Sequence, residues 1–302
     1  MIIKDIKNKK NYKKNILLFK RKNIYSIKVN KTIEILIVPN PNGKNAHQDN
    51  VGIILEENTI LKILSKRYKK VSITNIKNKK DLQKLVKRKP DLVFSGVKYF
   101  LFGKEKIWLN NYLEIYKIPY IASSKSALDN ESDKNKAKQI IRLAKIKTAD
   151  FFTTYPNEHL DTKSIPVSFP LFIKPIKGGD SRGIDSNSIV HNFDSFKKKV
   201  LEIKKNHNLT SIAETYLTGR EYSVGILEES ITGILRALPV EIIVKKDING
   251  HSILDFNIKK NDEEKVIAVK DIKIFNKIAK LAKESFKALG GKSLGRIDIK
   301  MN

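Results

Sequence analysis

The most informative part of the sequence is the stretch Pro170-Leu-Phe-Ile-Lys-Pro-Ile-Lys-Gly-Gly-Asp-Ser-Arg-Gly183. It opens as an apolar strand with Lys174 inside it and continues into a turn with three glycines, a serine and two further cations. Lysine is seldom buried without a partner, so a lysine within a strand indicates a nearby anion. Glycines let successive backbone N–H groups form an anion-binding nest. The stretch therefore predicts a polyphosphate site; the alternative is a hairpin turn whose lysine faces water.

Two familiar nucleotide-binding patterns are excluded. Gly178 and Gly183 have the separation of a Walker A loop, but Ile184 and Asp185 follow where that loop needs Lys and Ser or Thr. No Gly-x-Gly-x-x-Gly motif follows a strand anywhere in the chain. A nucleotide held by this loop is therefore held in another way.

Length and composition indicate a globular protein of two or three domains. The chain has 302 residues, of which 40% are hydrophobic and 30% charged. It has no cysteine, which excludes disulfides, thiolate metal sites and cysteine nucleophiles. No apolar run reaches the roughly eighteen residues that cross a bilayer, and the start MIIKDIKNKK lacks the apolar core of a secretory signal. We therefore expect a cytoplasmic protein without a membrane partner.

The formal net charge of +28 suggests a nucleic-acid partner, because dense Lys and Arg attract a phosphate backbone. The lysines, however, are spread over every segment and accompany many Ile and Asn residues, a mixture typical of an AT-rich coding bias. We expect solvated lysine-rich faces and no nucleic-acid partner, and a basic nucleic-acid binder remains the third alternative.

The first part of the chain predicts an open, mostly parallel α/β sheet. Residues 1–30 form a basic extension without recognisable chemistry, and residues 31–125 then alternate strands with helices. Such sheets bind ligands at the carboxyl ends of their strands, which makes residues 40–47 and 95–102 candidate substrate loops. The predicted strands are 33–38, 71–76, 91–94 and 119–122, and the predicted helices include 81–88 and 105–116.

The segments around the opening stretch predict a nucleotide cleft. A helix over residues 133–144 has Ser132 and Asp133 as candidate caps, so Lys134 lies in its first turn, where anions are favoured. After a helix over 193–205, an extended segment carries Glu214 and precedes a glycine turn and a strand over 222–227. Backbone groups near Leu217 would meet an adenine edge, and Glu221 would accept the ribose hydroxyls. The alternatives are a surface lysine and a plain hairpin with exposed acids.

The last part of the chain predicts further strands and one long helix. A strand over 234–244 is interrupted by Pro239, and an extended piece over 252–258 leads to Lys259. One apolar stripe over 274–289 predicts a long helix that a glycine pair ends. In the final strand, alternation places Arg296 and Asp298 on one face, as an ion pair or as a way to hold Mg²⁺ beside a phosphate.

In this order the segments resemble the ATP-grasp superfamily and, within it, the D-alanine–D-alanine ligases. The resemblance covers about residues 33–302 and implies an α/β (α+β ATP-grasp) fold. The N-terminal open parallel α/β domain is then followed by a two-lobed ATP-grasp domain over 126–302, with lobes of about 126–210 and 211–302. The motifs that carry it are Asp133-Lys134, Phe172-Ile-Lys-Pro175, the glycine-rich loop 178–183, Glu214-Thr-Tyr-Leu217, Gly219-Arg-Glu221, Asp255-Phe-Asn-Ile-Lys259 and Gly295-Arg-Ile-Asp298.

The resemblance also implies residue roles and a reaction. It implies an ATP-dependent carboxylate–amine ligase that forms an acylphosphate from small amino-acid or peptide substrates, with a homodimer as a further hypothesis. Arg296 and Ser181 are the implied catalytic residues, and Asp298 the implied ligand of Mg²⁺, with Mn²⁺ as the alternative ion. The residues implied to bind ATP are Lys134, Lys174, Gly179, Ser181, Glu214, Leu217, Glu221 and Lys259.

Three departures from the family pattern keep alternatives open. The loop has Asp180 and Ser181 where the ligases usually have two serines, and residues 40–50 lack the usual glutamate-containing substrate motif. The Glu and Asn that the family uses as further magnesium ligands would fall beyond Asn302. The alternatives are a ligase for a different amino-acid or peptide pair, or an ATP-binding protein without ligase activity.

Overall fold

The computed structural model describes residues 29–37, 57–179, 181–229, 231–246, 250–261 and 263–302. Residues 1–28 of the predicted basic extension and the candidate loop 40–47 lie outside the described residues. No helix in the described ranges is long and apolar enough to span a bilayer.

The first sheet is parallel throughout, as predicted, and its strands follow the spatial order β2-β1-β3-β6. Parallel strands must all start at the same end of the sheet, and the helical connections between them bring the chain back to that end. Leu82 and Leu85 of the second helix pack on Val93 and Leu113 in its core. The elements in chain order are β1 (Val29–Ile37), α1 (Glu57–Ser65), β2 (Tyr68–Asn75), α2 (Lys79–Arg88), β3 (Leu92–Ser95), β4 (Tyr99–Phe102), β5 (Glu105–Trp108), α3 (Leu109–Ile115) and β6 (Tyr120–Ile121).

The predicted helix over residues 105–116 is wrong in its first four residues. These residues form β5, which pairs with β4 as an antiparallel hairpin, and α3 begins only at Leu109. Gly103 supplies the turn with a φ of 66°, and Lys106 lies over the rings of the directly paired Tyr99 and Trp108. Cross-strand aromatic pairs of this kind stabilise a hairpin.

The second, central sheet is antiparallel and has the order β7-β10-β8-β9. Leu171 and Ile173 face α6 and pack on Phe196 and Val200. Strand alternation then directs Lys174 to the opposite, open face. The strand β10 lies in the middle of this sheet, although the predicted lobe boundary places it in the second lobe. The elements are α4 (Lys125–Ser132), α5 (Lys134–Leu143), β7 (Phe151–Thr154), β8 (Leu171–Pro175), β9 (Ile189–Val190), α6 (Phe193–His207) and β10 (Ser211–Thr215).

Only one of the two predicted caps of α5 is correct. The carboxylate of Asp133 accepts hydrogen bonds from the backbone N–H groups of Asn135 and Lys136. Ser132 is instead the last residue of α4, and its hydroxyl donates to the Leu128 carbonyl within that helix. The short helix α4 was not predicted because its sequence lacks a clear apolar stripe.

The third sheet is antiparallel, with the order β13-β12-β11-β14. Tyr222 and Val224 face the long helix α8 and pack on Ile278 and Phe286. The opposite face of the sheet is open and carries the polar side chains of β11 and β14. The elements are β11 (Glu221–Glu228), β12 (Leu235–Ile243), α7 (Phe256–Asn261), β13 (Lys265–Ala268), α8 (Ile272–Ala288) and β14 (Leu294–Lys300).

Two local predictions in this region are corrected. Pro239 does not interrupt β12, because β13 pairs only with residues from Val240 onward, so Pro239 has a strand neighbour on one side only. The extended piece predicted for 252–258 ends at Asp255, and α7 begins at Phe256. Asp255 Oδ1 accepts the backbone N–H of Ile258 at 2.9 Å, which favours a helix start.

Two glycines in adjacent strands provide a matched test of how α8 packs on the third sheet. A Cβ on Gly295 would lie 2.7 Å from Phe286 Cε2, whereas a Cβ on Gly225 would meet nothing nearer than 3.9 Å. We expect Gly295→Ala to lower the free energy of unfolding by about 1–3 kcal/mol and Gly225→Ala to change it by less than about 1 kcal/mol. Urea denaturation measures both, and equal effects would contradict the packing described.

Candidate active site

Three lysines and one carboxylate converge on the open face of the central sheet. Glu214 Oε1 forms an ion pair with Lys174 Nζ, and Glu214 Oε2 lies 2.8 Å from Lys138 Nζ. Lys134 lies one helical turn before Lys138 on α5. The side chains of Lys138, Glu214 and Lys174 are exposed by only 15, 12 and 20%. We call Lys134, Lys138, Lys174 and Glu214 the lysine cluster.

Local sequence explains why these four side chains meet. Residues four apart lie on the same side of a helix, so Lys134 and Lys138 point in one direction from α5. In the central sheet, Lys174 is paired with Ile212 and Glu214 with Phe172, so their side chains share the open face. The cap at Asp133 fixes where α5 begins and therefore where Lys134 and Lys138 lie.

Lys134 holds the start of the glycine-rich loop. Its Nζ donates hydrogen bonds to the carbonyl oxygens of Pro175 and Gly178 at 3.0 and 2.8 Å, and its backbone N–H donates to the Ile176 carbonyl. Burial, with the neighbouring charge of Lys174 as a second cause, lowers the pKa of Lys134 to about 8. A lysine so disfavoured in its charged form would be stabilised by an anion placed beside it.

Glu214 stays ionised despite its burial. Burial alone would raise its pKa, but the charges and hydrogen bonds of Lys174 and Lys138 outweigh it and lower the pKa to about 2. Burial also lowers the pKa of Lys138, although Glu214 opposes this effect. At neutral pH the cluster therefore holds three cationic groups against one carboxylate, and its excess charge is positive.

The glycine-rich loop has the backbone conformation that the sequence predicts. Gly178 and Gly183 adopt φ angles of 96° and 70°, and Ser181 adopts 57°. A Cβ on Gly183 would lie 2.7 Å from Pro175 Cγ, so a side chain there would collide with the end of β8. The Ser181 hydroxyl donates to the Leu254 carbonyl at 2.8 Å. This bond links the loop to residues 250–255, which we call the segment before α7. Gly179 is exposed at the loop tip.

A buried lysine that sequence reasoning missed anchors the loop exit. Lys199 of α6 is 1% exposed, and its Nζ lies 2.8 Å from both carboxylate oxygens of Asp185 and 3.0 Å from Glu202. Asp185 follows the loop directly and caps the short helical turn after it. The available signal was a lysine within the apolar stripe of α6, between Phe196 and Ile203.

An apolar surface adjoins the lysine cluster on the side of the predicted adenine hinge. Tyr216 packs with Ile189, Ile253 and Phe172, which brings residues of the central sheet together with the segment before α7. Leu217 follows Tyr216 and makes no backbone hydrogen bond with any residue that the structure describes. Its N–H and C=O are therefore available to a planar polar ligand lying on this surface.

The open face of the third sheet carries the second set of predicted residues. Asp298 Oδ1 lies 3.1 Å from Arg296 Nε and accepts the hydroxyl of Ser223 at 2.8 Å. Glu221 lies 3.5 Å from the Nζ of Lys300. Across the described ranges no three His, Cys, Asp or Glu residues are grouped as a metal site would need. The carboxylate of Asp298 fits Mg²⁺, since this ion is usually held by one or two carboxylates together with substrate phosphates.

The predicted site residues lie on three parts of the structure. Lys134, Lys174, Glu214 and the loop form one group, and Glu221, Arg296 and Asp298 lie on the third sheet. Lys259 is in α7 and forms no ion pair with a described residue. The predicted roles of all these residues stay predictions. Lys138 was missed, although its position four residues after Lys134 was a readable signal.

Comparisons with known proteins identify the family that the sequence motifs resemble. Residues 131–302 match the family described as "D-ala D-ala ligase C-terminus". The D-alanine–D-alanine ligase of Aquifex aeolicus (strain VF5) is 31% identical over 219 residues, which cover 72% of this chain and 69% of that protein. The corresponding ligase of Rhizobium meliloti (strain 1021) is 26% identical over 71% of this chain and 66% of its own length. The chain thus spans about two thirds of these relatives.

Solved structures agree on the fold. D-alanine–D-alanine ligase from Bacillus anthracis complexed with ATP superimposes with a TM-score of 0.60 and 20% identity, covering 90% of this chain and 82% of that one. VanG D-Ala:D-Ser ligase from Enterococcus faecalis gives a TM-score of 0.60 at 19% identity, with 90 and 86% covered. The solved structures define an ATP-grasp fold, and the family matches define the class as an ATP-dependent carbon–nitrogen ligase. Within this class the chain belongs to the D-alanine–D-alanine ligase family.

The Glu214 carboxylate yields a pH-dependent prediction. Its pKa is lowered from 4.5 to about 2 on folding, so it stabilises the protein above pH 4.5, and this contribution is lost as the pH falls toward 2. We expect Glu214→Gln to lower the free energy of unfolding by about 3 kcal/mol at neutral pH, because it leaves two buried lysines unpaired. Urea denaturation at several pH values measures the difference, which should shrink between pH 4.5 and 2.

The matched control for this measurement is Asp194→Asn. Asp194 forms a surface ion pair with Lys197 and is 80% exposed, so its loss should change the free energy of unfolding by less than about 1 kcal/mol. A Glu214→Gln effect that is equally small, or that does not depend on pH, would contradict the buried ion-pair account.

Proposed function

We propose that this chain binds ATP with Mg²⁺ and joins the carboxylate of one small amino acid to the amine of a second, with two D-alanine molecules as the first pair to test. A ligase for a different amino-acid or peptide pair is the alternative. The observation that carries the proposal is the lysine cluster, which holds three largely buried cations against one carboxylate at the start of the glycine-rich loop.

The excess positive charge supports a polyphosphate ligand. An unbalanced buried cation is unfavourable, and a phosphate oxygen placed near Lys134 and Lys174 would compensate for it. The loop that follows β8 offers N–H groups in the left-handed conformations that form an anion nest. Gly179 and Ser181 would close over the phosphates, and Lys259 would approach them from α7.

The nucleoside would lie between the central sheet and the segment before α7. The apolar surface around Tyr216 and Phe172 suits a planar base, and the free backbone groups of Leu217 suit its hydrogen-bonding edge. Glu214 would face the base from β10, and Glu221 would accept the ribose hydroxyls. In the structure Glu214 is paired with Lys138 and Lys174, and Glu221 lies beside Lys300.

The chemistry would take place on the open face of the third sheet. The carboxylate of the first amino acid attacks the γ-phosphorus of ATP, the bond to the bridging oxygen breaks, and ADP leaves. The amine of the second amino acid then attacks the acylphosphate carbon; phosphate leaves and a proton is released. Asp298 would hold Mg²⁺ against the phosphates, and the ion would neutralise charge on the transferring group. Arg296 would face that group and the substrate carboxylate.

Exclusion of water would protect the acylphosphate, because water competes with the amine. The hydrogen bond from Ser181 to Leu254 already joins the glycine-rich loop to the segment before α7. In the ligand complex this contact would hold the loop over the phosphates, with Ser181 also close to the transferred group. We propose a cytoplasmic location, because ATP and free amino acids are abundant there. The homodimer stays a prediction.

ATP binding and turnover test this proposal. We expect Mg-ATP to raise the melting temperature of the wild type and D-alanine to trigger ATP-dependent phosphate release. In Lys174→Met we expect the affinity for ATP and the rate of phosphate release to fall at least about tenfold, because a charge-assisted phosphate contact is lost. The rise in melting temperature should be smaller accordingly. The control is Lys163→Met, which alters an exposed lysine outside the site. If the wild type is folded but binds no ATP, the proposal is overturned. If it binds ATP but releases no phosphate when D-alanine is added, the result supports the ATP site and contradicts D-alanine as the substrate.

A further inference from the structure

The two lysines that share Glu214 have different surroundings. Lys174 is the fourth residue of β8, whose chain runs directly into the glycine-rich loop. The Nζ of Lys138, besides bonding Glu214, donates to Thr148 Oγ1 at 2.8 Å and lies 5.1 Å from the centre of the Phe151 ring. None of the groups that Lys138 contacts belongs to the glycine-rich loop. Lys138 is therefore held by Glu214 and Thr148 and contacts no part of the loop that is proposed to hold the phosphates.

A comparison along α5 points in the same direction. Lys134, one turn earlier, donates to the carbonyls of Pro175 and Gly178 at the start of the loop. Lys138 instead reaches the carboxylate and Thr148 in the segment before β7. One face of α5 thus supplies a lysine to the loop and, 4 residues later, a lysine to the acid that pairs with Lys174.

This arrangement has an electrostatic consequence for Lys174. A buried carboxylate that loses its only cation is strongly destabilising, because the charge remains in a poorly solvated place. If Lys174 were the sole partner of Glu214, its transfer to a phosphate would leave such a charge behind. With Lys138 fixed on the second oxygen, Glu214 remains neutralised when Lys174 leaves.

We propose that Lys138 is a positioning residue that frees Lys174 for the phosphates of ATP. On binding, Lys174 exchanges Glu214 for a phosphate oxygen, while Lys138 keeps its bonds to Glu214 and Thr148. This inference rests on the proposed function, since it assumes that ATP phosphates occupy the site beside Lys174. It assigns Lys138 a role in ligand affinity although Lys138 itself touches no phosphate.

Nucleotide affinity in Lys138→Met tests the inference. Calorimetry with ATP, ADP and adenosine separates contacts to phosphate from contacts to the nucleoside. We expect affinity for ATP and ADP to fall about tenfold or more, since Lys174 is then retained by Glu214, and affinity for adenosine to fall much less. Lys138→Arg should restore ATP affinity, because it keeps the charge. If Lys138→Met does not fold, Lys138→Gln replaces it, since Gln can still bond Thr148.

Two controls make the result specific. Lys136→Met removes a lysine of the same helix that is half-exposed and paired with Asp129, and it should bind ATP like the wild type. In a Glu214→Gln background, adding Lys138→Met should change ATP affinity by less than about threefold, because no carboxylate remains to retain Lys174.

The outcomes separate this inference from the function on which it rests. Wild-type protein that binds no ATP would overturn both. If the wild type binds ATP and Lys174→Met weakens binding, but Lys138→Met binds ATP like the wild type, only the inference is overturned. An equal loss for ATP and adenosine, or an undiminished effect in the Glu214→Gln background, would likewise overturn it and make Lys138 a purely structural support.

Discussion

The buried Glu214 carboxylate between Lys138 and Lys174 is the interaction on which the central part of the structure depends. It draws a strand lysine and a helix lysine to one point, and thereby connects β8, β10 and α5. One carboxylate cannot neutralise two lysines and the nearby Lys134. The folded chain therefore carries a positive excess beside the glycine-rich loop, which an anionic ligand would balance.

The central and third sheets each leave one polar face open. The central sheet turns one face to α6, so its other face is open and carries the lysine cluster. The third sheet similarly packs on α8 and leaves its Arg296 and Asp298 face open. The segment before α7 links the two, since Leu254 accepts a bond from Ser181 and Ser252 accepts one from Lys300. Burial on one side of each sheet thus leaves two polar faces for ligand chemistry.

Sequence alone predicted the parts of this structure that depend on local pattern. The strand around Lys174, the cap at Asp133 and the Arg296–Asp298 face follow from alternation, capping and glycine chemistry. The β4–β5 hairpin was missed because Tyr99 and Trp108 stabilise it by cross-strand contact, which a helix-like local pattern conceals. Lys138 was missed because its role depends on Glu214, 76 residues later in the printed sequence. Charge pairs between distant segments are set by tertiary packing, which periodicity does not reveal.

The most direct test of the account is a crystal structure of this chain with Mg²⁺ and a non-hydrolysable ATP analogue. The account predicts the triphosphate at the glycine-rich loop, with Lys174 Nζ within about 3 Å of a phosphate oxygen and Lys138 still on Glu214. An analogue bound elsewhere, with Lys134, Lys138 and Lys174 unchanged around Glu214, would contradict the claim that this positive excess is a polyphosphate site.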